Sequence, residues 1–373
     1  MLDGDRGVRY RLWAPSAKSL SLVVASDGDR KVRMQRTADG WFECVDLHSR
    51  AGTRYWYELD DDARVPDPAA RFMPHGPHAP SEVVDPASFA WQPGTETCVR
   101  PQREYVFYEL HVGTFTPEGT FAAAASHLEY LAELGVTAIE LMPVAQAAGS
   151  KNWGYDGVGF YAPSCAYGRP DDLKAFVARA HVLGLCVILD VVYNHFGPEG
   201  NYLHRYAPSF FDERCPTPWG PALDLTSRSN EPARAYIIEN ACYWLAEYRF
   251  DGLRLDAVSA LHEDARRPLL EQLSVRAREA AGRPAFIAIE HEHLDPELVS
   301  NEKAPCDAAW SDEVHHSLHT AISSERDGYY REYAARPIAR LGRALAEERS
   351  RFVQCLQNHD HIGNRPFGER ITA

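Results

Sequence analysis

The sequence predicts an α/β chain: a small N-terminal β-sandwich followed by a TIM-type (β/α) barrel that lacks its eighth strand. Three observations carry this expectation. Residues 8–90 break into short stretches of alternating apolar and polar residues separated by turn signals. From Val106 onward apolar, β-branched runs alternate with helical stretches, the pattern of a parallel sheet covered by helices. Four of those runs end in polar groups at their C-terminal side, as strands do at the catalytic face of a parallel barrel.

In the N-terminal part the alternating stretches are 8–15, 19–24, 40–45 and 55–59, bounded by Gly- and Asp-containing turns. Residues 1–90 are therefore expected to form the sandwich, with Trp13 and Trp41 packed in its core. A proline-punctuated stretch between Pro74 and Pro101 leads out of it, which sets 91–105 as a linker and 106–373 as the barrel. Barrel strands are expected at 106–111, 137–142, 185–191, 252–256, 285–290, 307–311 and 352–357. Helices are expected at 121–134, 171–184, 231–248, 263–281 and 338–350. That is seven strands, with no sequence after Asp360 to supply an eighth.

The chemistry-bearing residues sit at the ends of four runs. In GLRLDAV (252–258) Arg254 precedes Asp256 by two residues. Residues two apart on a strand point to the same side, so the guanidinium is expected beside the carboxylate, where it favours the ionised form a carboxylate nucleophile needs. Alone, the pair is weak evidence, because most Arg-x-Asp triplets are surface ion pairs. VILDVVYNH (187–195) ends in Asp190 and His195, AFIAIE (285–290) in Glu290, and FVQCLQNHD (352–360) in His359 and Asp360. A core strand with a satisfied histidine accounts for the first of these by itself; four such runs in order do not reduce to that. The stretch Glu290-His291-Glu292-His293 has spacing that a metal could use, but without other ligands it is thin support for one, and neither metal nor cofactor is expected.

Composition narrows the partners. Charged residues make up 25% and hydrophobic residues 45% of 373, an ordinary globular balance. The net charge of −14 argues against nucleic acid or an acidic membrane surface. The 8 cysteines are scattered without a Cys-x-x-Cys spacing, which favours reduced thiols and a cytoplasmic address. Met1 is followed by Leu-Asp-Gly-Asp-Arg rather than a basic and then apolar leader. No run of about 18 apolar residues is present to span a membrane.

DVVYNH (190–195), GLRLDAV (252–258), the strand ending in Glu290, and LQNHD (356–360) resemble the four ordered signature regions of the α-amylase superfamily of glycoside hydrolases. Within it the likeness is nearest to the maltooligosyltrehalose trehalohydrolases, carried by YELHVGTFTPEGTF (108–121), ELMPV (140–144), NWGYDGV (152–158), NHFGPEGNYL (194–203), TPWG (217–220) and QNHDHIGNR (357–365). The resemblance implies Asp256 as nucleophile with Arg254 its charged neighbour, and Glu290 as general acid/base with a raised pKa. It implies Asp360 as the third carboxylate, which stabilises the oxocarbenium. His195 and His359 would bond sugar hydroxyls, Tyr155 would stack on the ring, and Asp190 would orient Arg254 and His195. Trp219 and Asp312 would line the acceptor side, while Trp153 and Asn152 read as loop packing. The implied substrate is maltooligosyltrehalose or a related α-glucan, cleaved at the α-1,4 bond beside a terminal trehalose unit.

Two departures from the family pattern stand out: the absent eighth strand, and a short stretch between Tyr333 and Phe352 where the family has a longer one. Unpaired strand edges invite self-association. A branching or debranching activity, and a truncated homologue that only binds α-glucan, are the other readings.

Overall fold

A computed structural model describes every residue except 1–6, 27, 96, 227–229, 292–295, 300–303, 311, 324, 348–350, 366 and 371–373. Glu292, His293 and Ser311, which entered the reading of the signature runs, lie outside the described residues, as do the first six residues of the chain.

Alternation builds the N-terminal part. In β1 (Val8–Trp13) Val8, Tyr10 and Leu12 are buried while Arg9 and Arg11 face water, which places every second side chain on one face. With β2 (Leu20–Val24), β3 (Arg30–Arg33), β4 (Gln35–Arg36), β5 (Trp41–Asp46), β6 (Arg54–Leu59), β7 (Arg64–Val65) and β8 (Ser81–Glu82) it makes two sheets. Their orders are β1-β5-β4 and β3-β2-β6-β7, with β8 on β6. Trp13 is buried and donates its indole N–H to the Asp39 carbonyl at 2.8 Å. Trp41 is half-buried, packed against the core on one side and covered by the Arg11 guanidinium at 4.4 Å on the other.

The larger sheet is parallel and seven-stranded among the described residues. It consists of β9 (Phe107–Leu110), β10 (Ala138–Leu141), β13 (Cys186–Val191), β16 (Gly252–Leu255), β17 (Phe286–Glu290), β18 (Ala308–Trp310) and β19 (Phe352–Val353), hydrogen-bonded in that order. Two hairpins, β11 (Ala145–Gln146) with β12 (Gly159–Pro163) and β14 (Phe211–Thr217) with β15 (Gly220–Leu223), rise from the loops. All seven expected strands are present. The last is shorter than expected: it stops at Val353 rather than 357, and its described pairing is with Ala309 and Trp310 of β18.

Alternation works on these strands too, although both faces are buried. Ile188, Phe286, Ala288, Ala308 and Trp310 form one cluster with Tyr105, Phe107, Val353 and Cys355, inside the curve of the sheet. Ile139, Leu141, Val187, Leu189, Leu253, Leu255, Ile287 and Ile289, at the intervening positions, join the larger core under the helices. Gly252 is required by the inner packing: a Cβ there would lie 2.1 Å from the Phe286 carbonyl oxygen and 2.9 Å from Ile188 Cδ1.

Helices Pro170–Val182, Glu231–Glu247, Glu263–Ala281 and Pro337–Glu347 fall where the sequence expects them. The expected helix 121–134 is divided into Phe121–Ala125 and Leu128–Glu133, where the Ser126 hydroxyl caps the Ala123 carbonyl at 2.7 Å. Helix Asp312–Ile322 is not anticipated by the sequence. Its buried positions carry His315, His316, Ser317, His319 and Thr320 beside Val314, so the usual apolar stripe is missing. Among the described residues no helix is long and apolar enough to cross a membrane.

Asp251, the residue before β16, ties the segment ahead of the barrel to its base. Its carboxylate accepts from the Thr97 hydroxyl (2.9 Å), Cys98 N–H (3.0 Å), Val187 N–H (2.8 Å) and His181 Nε2 (2.8 Å), and both ionisable partners are fully buried. Burial alone would disfavour both charges. The mutual hydrogen bond and attraction outweigh it, lowering the Asp251 pKa and raising that of His181. Asp251→Ala is expected to cost about 3–5 kcal/mol, because four donors lose their acceptor. The depressed carboxyl contributes stability above about pH 3.9 and loses it as pH falls through its folded pKa. The raised imidazole contributes below about pH 6.5 and loses it as pH rises through its own. Denaturant unfolding of parent and variant should therefore differ most between those two values; a pH-independent difference contradicts the ion pair.

Candidate active site

The C-terminal ends of β13, β16 and β17 converge on Arg254. Register pairs Arg254 with Asp190 on one side and Ala288 on the other, so Asp190 lies beside the guanidinium on the inner face and Glu290 one inward position beyond Ala288. Arg254 is 1% exposed. Its Nη1 donates to Asp190 Oδ2 at 2.7 Å and to Asp256 Oδ1 at 3.0 Å, and its Nη2 lies 2.8 Å from Glu290 Oε2. The Trp310 ring covers the guanidinium at 5.3 Å. One buried cation thus serves three carboxylates.

Asp256 follows β16 directly, and the backbone then turns left-handed at Ala257 (φ 38°). That turn points the Ala257 N–H at Glu290 Oε2, 2.9 Å away, so Glu290 touches the residue next to Asp256 as well as Arg254. Asn194 holds Asp256 from the other side, donating to its Oδ2 at 3.1 Å and its carbonyl at 3.0 Å. Asp256 and Glu290 remain 12% and 24% exposed, open to the mouth. Asp190 is sealed: burial pushes its carboxyl up to about 7 against the pull of Arg254, with the Asp256 charge adding to the rise. It accepts the Tyr155 hydroxyl at 2.7 Å.

Around this centre lie the remaining candidates. His195 faces the Tyr155 carbonyl through Nε2 at 3.1 Å and bonds Asn194 Oδ1 through Nδ1. Among the described residues no direct hydrogen bond joins it to Asp190; its ring nitrogens face Asn194 and the Tyr155 carbonyl, and Asp190 accepts from the Tyr155 hydroxyl. Trp219, half-exposed, stacks on His195 with centroids 5.2 Å apart. Tyr155 stacks on His359 at 5.0 Å, and Trp153 meets the same imidazole edge-on at 5.7 Å. Asp360 opens helix His359–Gly363 and is 48% exposed; burial of part of the group and the charge of Glu290 raise its carboxyl. Asp312 stands at the start of its helix, 4.0 Å from His361 Nε2. Asp256, Glu290, Asp190, Arg254, Tyr155, His359 and Asp360 are thus brought together, with Trp219 on His195 beside Tyr155 and Asp312 beside His361.

Three contributors escape the sequence reading. Trp153, assigned to loop packing, lines the cleft beside His359. Asn194 sits in the same motif as His195, and its amide does the work on Asp256. Glu109 is the penultimate residue of β9, a carboxylate near a strand end as Glu290 is on β17, and that position is the available signal.

Among the described residues, His315, His316 and His361 bring ligand-type atoms within 4.8 Å of one another. His361 Nδ1 accepts the Asn358 N–H at 3.1 Å, which leaves the proton of its neutral ring on Nε2. Burial and mutual repulsion push the His315 and His361 pKa values far down, and the rings stack on one another and around Tyr330. The group reads as imidazole packing.

Two family models match the chain: "Alpha amylase, catalytic domain" over residues 83–214 and "Carbohydrate-binding module 48 (Isoamylase N-terminal domain)" over residues 1–79. A solved structure described as a putative alpha amylase from Salmonella typhimurium has a TM-score of 0.92 and 40% identity, covering 100% of this chain and 67% of that one. Fold and site together define a chain of the α-amylase class. Malto-oligosyltrehalose trehalohydrolase from Deinococcus radiodurans is 44% identical over 99% of this chain and 64% of its own length. The enzyme of that name from Saccharolobus solfataricus is 40% identical over 99% of this chain and 69% of its own. The chain belongs to the malto-oligosyltrehalose trehalohydrolase family, and it spans about two thirds of the length of these curated relatives.

Removing the shared cation tests this electrostatic arrangement. Arg254→Ala leaves three carboxylates facing each other without a counter-charge, and a loss of about 3–5 kcal/mol is expected. Arg254→Lys, whose single ammonium cannot span Nη1 and Nη2 positions at once, should fall between. Chemical denaturation measures both; an Arg254→Ala variant as stable as the parent contradicts the bridging role.

Proposed function

We propose that this chain is a retaining glycosidase that hydrolyses the α-1,4 bond next to the terminal trehalose unit of maltooligosyltrehalose and releases trehalose. One observation carries the mechanism: Asp256 and Glu290 are held by the two terminal nitrogens of one guanidinium. Both carboxyls thus converge on one cation, an arrangement that suits double displacement rather than attack by an interposed water. The substrate class rests on family membership across nearly the whole chain.

In this reading Asp256 attacks the anomeric carbon of the glucosyl unit, the C1–O4 bond breaks, and Glu290 passes its proton to O4 of the departing trehalose. Water then attacks C1 while Glu290 takes its proton, freeing Asp256 and the shortened maltooligosaccharide. Arg254 and Asn194 keep the Asp256 oxygens aimed. Asp360 meets the positive charge that develops on the sugar ring. His359 binds a hydroxyl through Nε2, His195 supports the Asn194 and Tyr155 side of the site, and Tyr155 and Trp219 offer ring faces. Asp190 fixes Arg254, and Asp312 lies on the acceptor side.

Asp256→Asn is expected to fold as the parent does, since the side chains are nearly isosteric, and to lose several orders of magnitude in trehalose release. Glu290→Gln should lose a comparable amount. The assay is trehalose released from maltooligosyltrehalose, with amylose alone as a control for new α-1,6 branches. Asp256→Asn activity within about tenfold of the parent would unseat the nucleophile. Branches without trehalose would move the reaction to the branching class.

A further inference from the structure

Glu109 and His359 are separated by 250 residues. Glu109 lies in β9 and His359 opens the helix that follows β19, and among the described residues those two strands have no hydrogen bonds to each other. Glu109 uses both carboxylate oxygens on this one residue. Oε1 accepts the His359 ring Nδ1–H at 2.6 Å and Oε2 accepts its backbone N–H at 2.8 Å. The ring is thereby fixed in tautomer and in rotation, with Nδ1 turned to Glu109 and Nε2 left to face Asp360 Oδ1 at 3.7 Å. Tyr155 stacked on one face and Trp153 at the edge leave it little room to turn.

We propose that Glu109 is a positioning residue for the reaction: by gripping both the ring and the backbone of His359, it turns Nε2 toward the sugar and Asp360 in one fixed orientation, with a proton on that nitrogen while the ring is charged. This rests on the glycosidase reading of the site. It adds a residue that the signature carboxylates do not include, acting through His359 and never on the substrate. The arrangement is that of a carboxylate holding an imidazole in one tautomer for work at its far nitrogen.

Charge follows from the same contact. Burial disfavours the imidazolium, but the hydrogen bond and charge of Glu109 outweigh it, and the His359 pKa is raised. Two other charged neighbours enter that balance: Arg254 from β16 opposes the rise, while Asp360 on its own helix adds to it. His111, after β9, and His361 feel the His359 charge in turn and are lowered in part by it. Tyr155 meets the ring with its face, its hydroxyl being committed to Asp190. A raised imidazole stays charged below its folded pKa and loses the proton as pH rises through it.

The test is Glu109→Gln in the full chain, read in two independent ways. Nitrogen NMR of the His359 ring, without substrate, should report a pKa above about 6.5 in the parent and a fall of about one pH unit or more in Glu109→Gln. The alkaline limb of kcat/KM for trehalose release should move to lower pH by the same amount. At neutral pH the loss should reach about 10²-fold and should shrink on acidification, which a purely structural defect would not do. Glu109→Asp, which keeps the charge, should restore part of the rise. A parent pKa at or below 6.5, or one unmoved by Glu109→Gln, overturns the proposal. Should Glu109→Gln fail to fold, the parent titration and Glu109→Asp still decide it. Absence of trehalose release in the parent would sink the functional reading alone, because the titration needs no substrate.

Discussion

A guanidinium with its charge withdrawn from water must be paired on every side, because the cost of burying it alone exceeds the stability of the fold. Arg254 meets that requirement by sitting between three strand ends and gathering Asp190, Asp256 and Glu290. Each partner is fixed differently. Asp190 is reached by register, Asp256 by continuation of the same strand, and Glu290 by its place one inward position past Ala288. The left-handed turn at Ala257 then closes the group with a backbone N–H. Loss of register in any of β13, β16 or β17 would take a carboxylate off the cation, so sheet geometry and site electrostatics hold each other in place.

Below that layer the sheet is filled by apolar side chains, Ile188, Phe286, Ala288 and Ala308 among them. Above it the mouth stays open. This division explains why Gly252 has no side chain and Arg254 has a long one: the inner volume at residue 252 is already taken by Ile188 and Phe286. The same alternation that carries charge inward at 254 sends Leu253 and Leu255 outward to the helices. Asp251 anchors the opposite end of the strand, so that the two ends of β16 are held by separate ionic contacts.

The strands were legible because residues buried on both faces must be apolar, and few other structures produce short β-branched runs of that length. The polar groups that end those runs stood out for the same reason. Helix Asp312–Ile322 was hidden because histidines and small polar residues fill the positions that usually form an apolar stripe. Glu109 was hidden because its partner is 250 residues away, and no spacing rule reaches across the sheet. The Asn194 amide and the Tyr155 carbonyl that face the His195 ring carry no spacing signal of their own. Trp153 looked like loop packing because an exposed tryptophan in a Gly-rich loop carries no periodic signal.

The central claim is that one buried guanidinium brings Asp256 and Glu290 close enough for double displacement. Proton NMR of the first-formed product tests it most directly, by following the anomeric signal of the maltooligosaccharide released from maltooligosyltrehalose before mutarotation sets in. The account predicts the α anomer, the outcome of two displacements at the same carbon. First appearance of the β anomer would mean a single displacement by water, and would contradict both the close pairing of the two carboxylates and the role given to Asp256.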